Sequence, residues 1–220
     1  MAQGGAQDQA ERGELMVIGE QGLRERMQRP LEQRLIVTPL LSPGQIAGGS
    51  VDVRLGTEFI LMKRSAKGPI DPINMGTESS QDYQERVHVD VGDKMILHPN
   101  QLVLGVTLEF IQVPEDLMAY VIGRSSWGRL GLMVATAVMV SPGYRGSLTL
   151  ELANLADTPV YLYPGTRVAQ LVFHQVEGTH VAYANNGGKY TGPVGPEFSK
   201  LSLDQDWQAI KFIGRDPGNR

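Results

Sequence analysis

The chain has 220 residues, with 20 Lys and Arg against 24 Asp and Glu, so its net charge is −4. That balance excludes a nucleic-acid binder working through its net field. The lack of cysteine excludes a disulfide scaffold, a thiol nucleophile and a thiolate metal centre.

Residues 1–12 (MAQGGAQDQAER) read as a disordered tail. They carry no apolar leader region, so no secretory signal and a cytoplasmic location are expected. No run reaches the roughly 18–20 apolar residues of a membrane span, so no membrane association is expected. Residues 13–29 (GELMVIGEQGLRERMQR) hold strong helix formers and predict one N-terminal helix, stopped at Pro30.

From there the pattern turns to period two. Strands are predicted at Arg34–Thr38, Ser50–Leu55 and Thr57–Met62. A polar stretch over 63–85 reads as a long loop insertion. Strands resume at Arg86–Asp90, Lys94–His98, Leu102–Gln112, Met118–Ile122, Leu132–Val140, Ser147–Ala153, Val160–Tyr163 and Arg167–Val176. Turn signals such as VPED (113–116), SPGYRG (141–146) and YPG (163–165) separate them. Gly (26) and Pro (13) make up about 18% of the chain, against roughly 12% on average. Short strands at this spacing predict an all-β barrel or jelly roll. One domain over 13–183 is expected, followed by a Gly/Pro-rich C-terminal segment over 184–220. By composition 184–197 is a disordered tail, while 198–213 carries apolar residues able to dock.

Three stretches can carry chemistry. Gly123 to Leu132 (GRSSWGRLGL) packs two Arg, two Ser and three Gly behind an apolar strand. Ser125 or Ser126 can cap a short helical turn whose amides, with Arg124 and Arg129, can hold phosphate oxygens. The same residues also fit a capped turn with two surface arginines. The SPGYRG turn reads as a hairpin connector with Tyr144 at its apex, leading into Leu148–Asn154. There Glu151 shares a strand face with Thr149 and Ala153. It is an ordinary surface carboxylate if that face meets solvent, and a candidate general base if it meets a subunit seam. In PGTRVAQLVF (164–173), Gln170 sits mid-strand among apolar residues. It is either an edge residue or a buried polar group with designated partners.

Taken in order, these segments resemble the dCTP deaminase family of the trimeric dUTPase superfamily. The residues are SVDVRLG (50–56), LGVTLEFIQVPEDLMAYVIGRSSWGRLGL (104–132), Thr136-Ala137, PGYRG (142–146), LTLELAN (148–154), PGTRVAQLVF (164–173) and GKYTG (188–192). The resemblance covers roughly residues 14 to 195. It implies a dUTPase-like distorted β-barrel or jelly roll, a homotrimer with active sites between subunits, and a C-terminal lid. The implied reaction is zinc-free hydrolytic deamination at C4 of a cytosine deoxynucleotide, dCTP to dUTP and ammonia. Absence of cysteine and the unpaired spacing of His88, His98, His174 and His180 suit chemistry without zinc. By position Glu151 matches the carboxylate that activates water. Ser125 and Arg129 match residues that position it, and the Ala137 carbonyl matches a second water acceptor. Arg124, Ser126 and Lys189 match triphosphate contacts, completed by Mg²⁺ on the phosphates. Tyr144 matches an aromatic beside the deoxyribose. Ser141, Gln170 and Tyr190 complete the expected substrate contacts.

The chain departs from the family pattern at three points. LMVATA (132–137) has no His before the Thr-Ala pair, Ser141 stands where an Asp is usual, and Pro193 follows the lid Gly. That Asp normally contacts the sugar 3′-hydroxyl and, in the dUTPase branch, activates the hydrolytic water. Two other readings therefore stand beside the deaminase: a dUTP diphosphatase or bifunctional enzyme, and a non-catalytic nucleotide-binding trimer.

Overall fold

Apolar and polar residues alternate along most of the chain, and the resulting one-sided strands must pair and stack to bury their apolar faces. A computed structural model describes residues 17–65, 68–71, 82–135, 139–177 and 192–201. Ala137, Lys189, Tyr190, the tail 1–12 and most of the predicted insertion lie outside them. Two helices occur among the described residues, α1 (Glu20–Met27) and α2 (Ser125–Gly128). The first strands are β1 (Ile36–Thr38), β2 (Ile46–Ala47), β3 (Ser50–Arg54), β4 (Glu58–Met62), β5 (Gln84–His88), β6 (Met95–Leu97), β7 (Leu102–Val106) and β8 (Phe110–Gln112). Then come β9 (Leu117–Gly123), β10 (Leu132–Val134), β11 (Met139–Val140), β12 (Arg145–Gly146), β13 (Thr149–Asn154), β14 (Val160–Leu162) and β15 (Arg167–Gln175).

The strands form two five-stranded sheets, ordered β11-β9-β15-β3-β2 and β10-β13-β7-β4-β5. A three-stranded sheet (β1-β8-β12) and the pair β14-β6 complete the described part. One core cluster joins the two large sheets: Val51, Val53, Ala119, Leu171 and Phe173 from one, Phe59, Val103, Leu150 and Leu152 from the other. The described part is mainly β, as expected from the sequence.

α1 is shorter than predicted within the described residues and begins at Gly19 without a side-chain cap. Glu20 in its first turn and Arg24 and Arg26 in its last suit the helix dipole. Leu23 is fully buried, and Arg26 reaches Asp116 in the turn before β9.

Two long predicted strands are broken. Leu102–Gln112 divides at Thr107–Glu109, where side chains replace ladder bonds. Thr107 Oγ1 donates to the Glu109 carbonyl at 2.8 Å and accepts from the Leu148 amide at 2.9 Å. The buried Glu109 carboxylate accepts from the Arg54 amide (2.8 Å) and Gln45 Nε2 (2.6 Å). Leu132–Val140 divides into β10 and β11, which pair with β13 and β9 in different sheets. The SPGYRG turn is not a hairpin connector either. β11 pairs with β9 while β12 pairs with β8, so the turn carries the chain round a corner between sheets. Alternation alone cannot show such a corner, because both flanking strands keep period two.

Candidate active site

Glu151 lies in the middle of β13. Its neighbours Leu150 and Leu152 point into the core, while Thr149, Glu151 and Ala153 share the opposite face, as alternation predicts. A row runs across the sheet on that face. Glu151 stands opposite Leu104, Leu104 opposite Ile60, and Ile60 opposite Arg86. Leu104 and Ile60 are buried, yet neither belongs to the core cluster.

Residues 192–201 bond to the corner turn and to the start of β13. The Gly192 amide donates to the Arg145 carbonyl at 2.8 Å, and the Ser147 amide donates to the Pro193 carbonyl at 2.8 Å. The Glu197 amide donates to Thr149 Oγ1 at 3.1 Å, and the Arg86 guanidinium sits 4.9 Å from the Phe198 ring centroid. This segment forms a strap over the outer face of the sheet.

Between strap, sheet and corner turn is a cavity of about 470 Å³. Glu151, Thr149 and Leu104 form its floor, Met139, Ser141 and Tyr144 one wall, and Pro193, Glu197 and Ser199 the strap side. Glu151 is half-buried, and loss of solvent pushes its carboxyl above the ordinary glutamate value. A carboxylate poised this way takes up a proton more readily than an exposed one. Tyr144 is buried, and its hydroxyl donates to the Ser147 carbonyl at 2.9 Å.

The remaining described candidates gather elsewhere. α2 follows β9 directly. Arg124 occupies its N-cap position with no side-chain cap bond, so neither Ser125 nor Ser126 caps the turn. Ser125 begins the helix, and Arg129 Nη1 donates to its Oγ at 3.3 Å. Trp127 Nε1 donates to the Arg167 carbonyl at 2.8 Å and ties α2 to β15.

Gln170 proves to be a half-buried polar group with designated partners. Its Nε2 donates to Asp52 Oδ1 at 2.9 Å and to Ser50 Oγ at 3.4 Å. Asp52 also accepts from Arg124 Nη1 and from Arg167 Nη1 (3.0 Å).

These two groups do not share one cavity within a single chain. The Gly131 carbonyl, at the end of the α2 turn, accepts from the Leu155 amide at 2.9 Å, while the Ala135 amide donates to the Glu151 carbonyl at 2.8 Å. Those two bonds are four residues apart along the ladder, roughly 13 Å at the strand rise. Ser125, Arg129 and Arg124 do not line the cavity that holds Glu151, Ser141 and Tyr144.

The sequence reading did not single out Asp52, Arg167 or Glu197 as site residues. Asp52 left one signal, a lone carboxylate between two valines. The strap left two signals, the C-terminal lid that the resemblance implies and the apolar residues from Phe198 onward. Among the described residues no group of three His, Cys, Asp or Glu is placed to hold a metal ion.

The comparisons bear on this geometry. The family described as dCTP deaminase-like matches residues 18–176. A Haloarcula marismortui protein named dCTP deaminase is 45% identical over 184 residues, 81% of this chain and 93% of that protein. A Dictyoglomus turgidum protein named dCTP deaminase, dUMP-forming, is 38% identical over 193 residues, 86% of this chain and 96% of that protein. The crystal structure of 2′-deoxycytidine 5′-triphosphate deaminase from Agrobacterium tumefaciens superposes with a TM-score of 0.56 at 19% identity. That match covers 74% of this chain and spans 49% of the longer one, and it speaks to the fold. A matched span running from just before α1 to the end of β15, with such relatives aligned over nearly their full length, means that the chain belongs to the dCTP deaminase-like family.

Proposed function

We propose that the chain hydrolyses the C4 amino group of the cytosine in dCTP, giving dUTP and ammonia. The observation that carries this reading is Glu151. It is a half-buried carboxylate, raised in pKa by loss of solvent, on the floor of a cavity it shares with Ser141 and Tyr144. The Glu151 carboxylate takes a proton from water as the water oxygen bonds to C4. It returns that proton to the amino nitrogen as the C4–N bond breaks, so water and dCTP become dUTP and ammonia. Ala137, which lies outside the described residues, offers its carbonyl to the same water. Tyr144 and Ser141 hold the deoxyribose side.

Ser125 and Arg129 act on the water and on Glu151 from a neighbouring copy, and each site lies between subunits of a homotrimer. Two observations support this. Neither residue lines the cavity that holds Glu151 in its own chain. Large apolar side chains, Ile122, Met133 and Met139, lie exposed on β9, β10 and β11 around them. Arg124, Ser126 and Lys189 take the triphosphate, which enters with its Mg²⁺ as part of the substrate. Gln170 acts through Asp52, and Tyr190 closes with the C-terminal segment.

The product separates dUTP from dUMP. Release of dUMP needs a second water activated toward the α-phosphate. Ser141 offers a hydroxyl to the cavity and no carboxylate, which favours dUTP. The names of relatives such as that of Dictyoglomus turgidum keep dUMP as the second reading. Incubation with dCTP and Mg²⁺, followed by ammonia, dUTP, dUMP and pyrophosphate assays, decides the matter. Ammonia with dUTP is the expected result. Ammonia with dUMP and pyrophosphate supports the second reading. Nucleotide binding without ammonia overturns the deaminase reading in favour of a binding trimer.

A further inference from the structure

Asp52 is the hub of a charged network that the cavity does not include. It sits in mid-β3, flanked by core residues Val51 and Val53, with its side chain only 8% exposed. Its two oxygens serve three elements. Oδ1 accepts from Gln170 on β15, directly opposite in register. Oδ2 accepts from Arg124, at the junction of β9 and α2, and from Arg167 at the start of β15. A buried carboxylate carries this arrangement because its desolvation is offset by charged donors.

The charges do not balance within the group. Two guanidiniums meet one carboxylate, which leaves a net +1. Both arginines keep nearly a third of their side chains exposed, 30% for Arg124 and 28% for Arg167. Arg167 is further fixed by Ser42 Oγ (2.6 Å) and the Gly44 carbonyl (3.0 Å). These bonds use three of its five N–H donors. A rigid guanidinium with donors to spare, beside a second one, matches the geometry of phosphate oxygens. Trp127 ties α2 to Arg167 itself, so both arms move as one body.

We propose that Asp52 is a positioning residue for the phosphate end of the site. It holds Arg124 and Arg167 as a guanidinium pair that takes the nucleotide's polyphosphate, with Arg167 the second arm. The inference rests on the deaminase reading for the identity of the nucleotide, but not for the anion it binds.

The test uses the full chain, inorganic tripolyphosphate as probe, and the variants Arg167→Gln, Arg167→Lys and Asp52→Asn. Asp52→Asn keeps the shape and an oxygen for Gln170 while removing the charge. Binding of tripolyphosphate should weaken at least about tenfold in Arg167→Gln and in Asp52→Asn, the scale of one lost charge-assisted contact. Arg167→Lys should recover part of that loss. In turnover, the ratio of KM for dCMP to KM for dCTP should fall in the same variants, because only the longer phosphate chain reaches both arms. A purely structural role for Asp52 would weaken dCMP and dCTP alike. Should Asp52→Asn fail to fold, Arg167→Gln decides alone. If folded Arg167→Gln binds tripolyphosphate as tightly as the unaltered chain, or if the unaltered chain ignores it, the inference is wrong. Tripolyphosphate binding is read without turnover, so absence of ammonia from dCTP counts against the deaminase reading and not against the clamp.

Discussion

Pro193 is seated on Gly146. A Cβ built on Gly146 would lie 2.5 Å from Pro193 Cδ, and the glycine holds φ at +144°. Side chains rarely adopt that backbone conformation. A proline at 193 supplies no backbone donor. The structure uses the ring as packing and the carbonyl as an acceptor for Ser147 instead. Gly146→Ala should therefore unlatch the strap as well as strain β12. The expected cost is about 1–3 kcal/mol. It should appear as a lower Tm, faster proteolysis within 192–201 and a higher KM for dCTP. A variant with unchanged Tm and proteolysis would show that the strap is held elsewhere.

Glu151→Gln should remove most turnover, since general acid–base catalysis is worth roughly 10²–10⁴-fold, while nucleotide still binds. The pH dependence follows from its raised pKa. Glu151 accepts a proton only when ionised, so activity should rise with pH through a midpoint above the ordinary glutamate value. Stability runs the opposite way. A carboxyl with a raised folded pKa favours the fold fully below its unfolded pKa and loses that contribution as pH rises through the folded one. The Tm of Glu151→Gln should match the unaltered chain at low pH and exceed it increasingly toward pH 8. Melting curves across pH check this, and a widening gap toward acid would contradict the burial argument.

Asn154 is fully buried at the end of β13. Its Nδ2 donates to the carbonyls of Leu97 (3.0 Å) and Thr158 (2.9 Å), and its Oδ1 accepts from the Ala156 amide (3.0 Å). Asn154→Ala removes one buried bond, to Leu97, and two part-buried ones, and a buried group left without its partner costs about 1–3 kcal/mol. A loss of roughly 2–4 kcal/mol in urea unfolding is expected. Asn154→Asp should be nearly as harmful, because it removes the donor pair and buries a charge.

Asp116→Ala should cost more than Glu20→Ala: among the described residues Glu20 pairs with Arg24 alone, while Asp116 meets Arg26 and, at 3.8 Å, Arg29. Glu20 and Arg24 are both exposed on α1, and such pairs contribute about 0.3–0.5 kcal/mol. Arg26 is only 10% exposed, so removing Asp116 strands a mostly buried cation. The difference is read from the two unfolding midpoints. Equal losses would mean that water reaches Arg26 freely.

Much of the fold was legible because strands advertise one buried face. The face shared by Thr149 and Glu151 followed from Leu148, Leu150 and Leu152 alone. What lies over that face was not legible. Alternation marks Glu151 as outward without saying whether water or residues 192–201 meet it. Asp52 shows the same limit from the other side. It occupies an outward position in β3 by period, yet it is buried because Arg124, Arg167 and Gln170 close over it. The corner at Ser141–Gly146 was hidden because each flanking strand keeps its period while changing partners. The bond from Arg129 to Ser125 was not read from the sequence, although the two stand four residues apart.

The strap also fixes an order of events. Residues 192–201 leave the ribosome after every strand from β1 to β15. A nascent chain that has reached Gln175 can already pair β13 with β7 and β15 with β9. It still presents the cavity floor of Leu104, Thr149 and Glu151 to the surroundings, since Pro193 and Glu197 have yet to arrive. The protein is thus most adhesive late in synthesis, when its sheets exist and that floor is bare.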